Sequence, residues 1–196
     1  MIHSLASNIA LFFATNHQIK LEEKEVYVYG MEFVISTVVN FFIILLISVC
    51  IGRLWESIAY VSGFILLRRY IGGYHATTHM NCFLTFLFVY SANMLVVLFL
   101  KNSDNRIISI LLVSIVLILV FLQKPVTNRN KHITSVDYCD YILKSRILML
   151  LINLIVIVGN LVSKNSVVPL SLGLGTMTAV LSAIIAKSIE RRLSIV

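Results

Sequence analysis

The sequence predicts an all-α fold: a multi-pass integral membrane bundle of about six transmembrane helices, preceded by an N-terminal amphipathic helix at the membrane interface. Three observations predict it. Apolar residues make up 59% of the 196-residue chain and charged residues only 13%, with a mean hydropathy of +0.94, beyond the range of soluble domains. The apolar runs approach the ~20 residues that cross a ~30 Å hydrocarbon layer, longer and less interrupted than the segments of a water-soluble core. The basic residues also sort between alternate loops as membrane topology requires.

The first 30 residues lack the basic start and small-residue cleavage site of a secretory signal. Ile2, Leu5, Ala6, Ile9, Phe12 and Phe13 recur at helical spacing, so segment 1–30 reads as a helix lying on the inner leaflet, or packing against the bundle. Gly30 and Glu32 then mark the start of the first span. Stretch 33–51 has only Ser36, Thr37, Asn40 and Ser48 as polar members, and 83–100 and 107–122 are as clean. Three further stretches complete six: 54–67, short and carrying Glu56, which pairs with Arg53 or sits at the interface; 147–161; and 167–186, with Gly173 and Gly175 inside. Neither repeat nor linker interrupts them, which makes 1–196 a single integral membrane domain.

With the N-terminus inside, the inner segments hold Lys20, Lys24, Arg68, Arg69, Lys124, Arg129, Lys131, Lys144, Arg146, Lys187, Arg191 and Arg192. The outer ones hold Arg53, Lys101, Arg106 and Lys164, so twelve of the 16 basic residues are inside and both termini are expected to be cytoplasmic. The net charge of +7 then reflects topology and attraction to anionic lipid headgroups, not a nucleic-acid footprint.

The polar segment 68–82, Arg-Arg-Tyr-Ile-Gly-Gly-Tyr-His-Ala-Thr-Thr-His-Met-Asn-Cys, places two arginines, two histidines and a cysteine between two spans. Cys82 begins the third span, where the partial positive charge of unpaired helix amides favours a thiolate nucleophile. A base is still required, and His75 and His79 are the candidates. On one straight helix His75 stands roughly 10.5 Å of rise from Cys82 and leans away from it. If His75 is the base, the segment must bend: Gly72-Gly73 supplies the freedom, and Thr77, Thr78 or Asn81 supplies a cap for a new helix. His79 reaches Cys82 without a bend, so spacing alone leaves the two histidines level. A zinc site is a competing reading, because His75, His79 and Cys82 share one helical face; its fourth ligand would come from His132, Asp137 or Cys139. The plainest reading is an ordinary basic loop whose cysteine is a small hydrophobe, as Cys50 inside the first span is most simply a packing residue.

The pattern Arg68-Arg69-x-x-Gly72-Gly73-x-His75 followed by Cys82 resembles the AgrB family of membrane cysteine endopeptidases of bacterial peptide quorum sensing. The likeness continues through the arrangement of spans and through Lys124-Pro-Val-Thr-Asn-Arg-Asn-Lys-His132 in the basic cytoplasmic loop 123–146. The resemblance implies a membrane peptidase domain in the bacterial cell membrane, without cofactor or metal, with Cys82 as nucleophile and His75 as general base. The implied partner is an AgrD-type precursor peptide, alongside membrane lipids and, as an option, a second copy of the chain; its acidic C-terminal tail is removed on the cytoplasmic side and the acyl-enzyme resolves into a thiolactone or lactone. An acidic tail suits Arg68, Arg69 or the Lys124, Arg129, Lys131 cluster; oxyanion support falls to backbone amides near Cys82, to Asn81 or to Arg68. The contrasting expectation is a non-enzymatic peptide exporter or transporter subunit, with the polar break lining a path.

Overall fold

The structure, a computed structural model, describes residues 2–16, 18–73, 79–123, 135–162 and 166–193. Among them are seven α-helices and one 3-10 turn, with no strand: α1 (Ile2–Thr15), the turn Leu21–Glu23, α2 (Lys24–Cys50), α3 (Leu54–Ile71), α4 (His79–Leu100), α5 (Arg106–Leu122), α6 (Ser135–Val162) and α7 (Val167–Leu193). Each of the six apolar stretches lies within a helix, apart from Ile51, which caps α2. Four segments, Lys24–Cys50, Asn81–Leu100, Tyr138–Val162 and Val167–Glu190, are long and apolar enough to cross a membrane; α5 is apolar but shorter, at 17 residues. Helix α3 has 18 residues and carries Glu56, Arg68 and Arg69.

The helices overrun the apolar stretches, because a backbone entering lipid keeps its hydrogen bonds internal on both sides of the boundary. Helix α6 shows this best. Residues 135–146 of the expected basic loop are helical in it, with Lys144 donating to Asp140 at 2.6 Å one turn away.

The chain divides into two compact units, Met1–Gly52 with Ala76–Phe88, and Arg53–His75 with Val89–Val196. In the first, Ala6 and Ala10 of α1 are buried against Val28 of α2, flanked by Met31 and Ile35, and His3 Nδ1 lies 2.5 Å from Glu32 Oε1. The small face of α1 thus meets protein while Leu5, Leu11 and Phe12 remain exposed.

In the second unit α7 is the common partner of α3, α5 and α6. A Cβ at Gly175 would stand 2.0 Å from the Tyr60 carbonyl oxygen, one at Gly63 2.7 Å from the Leu172 carbonyl oxygen, and one at Gly173 2.7 Å from Leu112. These glycines let backbones approach where lipid supplies no hydrophobic drive between helices. Polar side chains add to the seam: Tyr60 donates to Thr178 Oγ1 at 3.1 Å, Ser57 and Tyr90 share a hydrogen bond of 2.7 Å, and Asn160 donates to Ser109 at 2.7 Å. Glu56 is buried and accepts from Arg53 at 2.8 Å, the pairing expected of it.

The pairings also give helix directions. Asn105 meets Ser166 and Leu112 meets Gly173, so α5 and α7 run parallel; Ser109 meets Asn160 and Phe121 meets Arg146, so α5 and α6 run antiparallel. Gly63 meets Leu172 and Gly73 meets Ser182, which sets α3 parallel to α7. Alternate helices therefore point the same way, as in a chain that crosses a layer repeatedly. Side-chain placement suits lipid: on α5 Ser109, Val113, Val116 and Val120 are buried while Ile107, Leu111, Ile115, Ile118 and Leu122 face outward, Leu122 at 77% exposure. Water would favour the reverse distribution.

The glycine seam predicts that Gly175→Ala destabilises the protein by about 1–3 kcal/mol, because the Tyr60 backbone cannot swing aside. Gly30 has nothing within 4 Å, so Gly30→Ala is expected to be neutral or to gain up to about 1 kcal/mol of helix propensity. Unfolding in detergent micelles measures both; equal losses would remove the close-packing explanation.

Candidate active site

Segment 68–82 is not one helix. Helix α3 continues through Arg68 and Arg69 and stops at Ile71, where Gly72 still donates its N–H to the Arg68 carbonyl at 3.0 Å but turns to φ 74°, ψ −160°. That conformation is essentially restricted to glycine. A second helix, α4, is described from His79 and carries Cys82 near the described end of the helix. The glycine break expected for a working His75 is therefore present. Asn81, a capping candidate, lies inside α4 and so is not its cap.

Cys82 is half-buried, whereas Cys50 and Cys139 are exposed. The exposure of Cys50 overturns its reading as a packing residue: at the last position of α2 it makes no core contact that would bury it. Cys82 and Asn81 belong to the first compact unit; Arg68, Arg69, Gly72 and Gly73 belong to the second. His79 precedes Cys82 by three positions on α4, the spacing of neighbours on one helical face. His75, Thr77 and Thr78 lie outside the described residues, as do Lys124, Arg129, Lys131 and His132. Among the described residues no group of three or more His, Cys, Asp or Glu side chains is placed to hold a metal ion.

The structure brings together Arg68, Gly73 and two residues that the motif did not name. The Arg68 guanidinium lies over the Phe64 ring, 5.2 Å from its centroid, a cation–π contact made by neighbours one turn apart. A Cβ at Gly73 would stand 2.7 Å from Ser182 Oγ of α7 and 3.4 Å from Arg68 Nε. Helical spacing could have found Phe64; nothing local in the sequence marks Ser182, which arrives from more than a hundred residues away. Arg69, by contrast, is exposed, and the ring of Tyr70 tilts against Tyr141 of α6 at 6.2 Å between centroids.

Lipid-facing apolar helices, glycine seams between them and a helix broken ahead of a cysteine-bearing helix define a helical integral membrane protein with a polar segment at a helix end. The chain belongs to the AgrB family, accessory gene regulator B, whose model matches residues 6–194 and so nearly the whole chain. No curated protein and no solved structure matches it. Family membership gives the protein a role in accessory gene regulator signalling, in the processing of an autoinducer peptide, with an AgrD-type precursor as its partner.

The conformation of Gly72 makes a discriminating prediction. Gly72→Ala and Gly72→Asn should each cost about 1–3 kcal/mol. Asparagine, which eases an ordinary left-handed position, gives no relief at ψ −160°. Thermal unfolding of both variants in micelles checks this, and a stable Gly72→Asn would contradict the backbone assignment.

Proposed function

We propose that the protein is a membrane-embedded cysteine endopeptidase that removes the C-terminal tail of its AgrD-type precursor, with Cys82 as nucleophile and His75 as general base. The observation that carries the reading is the break in the segment: α3 ends in a glycine-only conformation at Gly72, and Cys82 lies on a separate helix, α4, described from His79. A straight helix would hold His75 and Cys82 apart; the break removes that obstacle.

The chemistry follows from these groups. His75 takes the Cys82 thiol proton, the thiolate attacks the scissile carbonyl, and the imidazolium returns the proton to the departing amine as the C–N bond breaks. The carboxyl end of the retained peptide is then a thioester on Cys82. Attack by an internal thiol or hydroxyl of the same peptide transfers the acyl group to a thiolactone or lactone and restores Cys82. A half-buried cysteine favours this transfer over hydrolysis, because the thioester outlives encounters with water only where water is scarce. Backbone amides near Cys82, with Asn81 and Arg68 as side-chain candidates, supply donors for the oxyanion.

Topology supports the same reading. The proposal places six spans, α2 to α7, with both termini, segment 68–82 and the basic segment around Lys124, Arg129 and Lys131 on the cytoplasmic side, and α1 at the inner interface. Alternating helix directions in the second unit and the twelve-to-four partition of basic residues are the supports. An acidic tail would be steered to Arg69, Lys124, Arg129 and Lys131 by long-range attraction.

Substitution separates the roles. Cys82→Ala and His75→Ala are each expected to lower precursor cleavage at least about 1,000-fold, while Cys50→Ala and Cys139→Ala keep it. Precursor cleavage in membranes, followed by gel shift or mass spectrometry, provides the readout, and retained cleavage in Cys82→Ala would end the proposal. Joint neutralisation of Lys124, Arg129 and Lys131 to Gln should raise KM and weaken its salt dependence with kcat nearly unchanged; a fall in kcat alone would move those residues out of the docking role.

A further inference from the structure

We propose that Ser182 of α7 is a positioning residue for the catalytic segment: together with Arg68 it backs the glycine turn through which the chain reaches His75. The inference rests on the assignment of Cys82 and His75 made above. Gly73 stands two residues before His75, and its backbone is closed in on the side where a side chain would project, by Ser182 Oγ at 2.7 Å and by Arg68 Nε and Cζ at 3.4 and 3.5 Å. Neither wall is loose. Arg68 is held over the buried Phe64 ring, and both Arg68 and Ser182 make further interactions, so neither yields without giving something up.

Helix α7 is itself fixed where it delivers Ser182. One turn earlier Thr178 accepts from Tyr60 of α3, and earlier still Gly175 brings the α7 backbone against the Tyr60 carbonyl. The same pair of helices that packs without a side chain between their backbones thus ends at Gly73, where an added methyl group would meet the Ser182 hydroxyl and force it to shift. A base that must meet a thiol within hydrogen-bond reach tolerates little drift, and a displacement near 1 Å is enough to cost about a hundredfold in rate. Ser182 touches neither substrate nor nucleophile in this account; it acts through the backbone of Gly73.

The test uses the full-length protein in proteoliposomes with its AgrD-type precursor, each variant normalised to inserted protein. Gly73→Ala should lower kcat by about 10- to 100-fold with KM changed less than about twofold, and adding Ser182→Ala, which removes the obstructing hydroxyl, should recover most of the loss. Ser188→Ala, on the exposed end of α7, should recover none. A double variant no better than Gly73→Ala, or rescue by Ser188→Ala as well, overturns the inference. If Gly73→Ala fails to insert, Ser182→Ala alone decides: a kcat lowered several-fold at constant KM supports the positioning role, and an unchanged kcat refutes it. Cys82→Ala in the same series separates the two levels, since cleavage surviving there defeats the catalytic assignment itself, whereas an inactive Cys82→Ala with no rescue defeats only the role of Ser182.

Discussion

Helix α7 lies against α3 with a hydrogen atom where any other residue would place a methyl group: at Gly175 that group would fall 2.0 Å from the Tyr60 carbonyl oxygen. In lipid this contact carries weight, because helices are not driven together by apolar surface and must gain from close packing and from polar groups that satisfy one another. Tyr60 supplies both. Its backbone receives Gly175, its hydroxyl donates to Thr178, and its ring packs edge-on against Tyr90 of α4 at 5.7 Å. Three helices of the second unit are thereby registered to one another, and the turn at Gly72-Gly73 is built on the end of that assembly.

This registration matters for chemistry because the polar segment has little of its own to hold it. Glycine at positions 72 and 73 gives the chain freedom to leave α3, and freedom is a poor property for a residue two positions from the proposed general base. The Gly72 conformation and the close neighbours at Gly73 restrict that freedom at the end of α3. On the other side of the break, a separate helix, α4, carries Cys82 near its described beginning at His79.

Much of this was legible in the residues. Six apolar stretches became helices because hydropathy over 15–20 residues is a strong signal, and helix rise required a bend before Cys82 if His75 is to serve it. The edges were less legible. Helix α6 already includes Asp140 and Lys144 because polar residues continue a helix beyond an apolar stretch as readily as they form a loop, and composition does not separate the two. Cys50 was misjudged for a related reason: in lipid an apolar residue has no preference for the protein interior, so hydrophobicity does not predict burial. Long-range partners were invisible; Ser182 meets Gly73, and Thr178 meets Tyr60, through tertiary packing that no local pattern encodes.

The central claim is that Cys82 forms a covalent bond to the carboxyl end of the processed peptide. It is tested most directly by giving the wild-type protein a precursor whose internal ring-closing residue is replaced by alanine, quenching in acid, and mapping the adduct by mass spectrometry. The account predicts an adduct of the precursor minus its tail, linked through the peptide containing Cys82 and released by neutral hydroxylamine as a thioester should be. Cleavage without any adduct, or an adduct on Cys50 or Cys139, would contradict it.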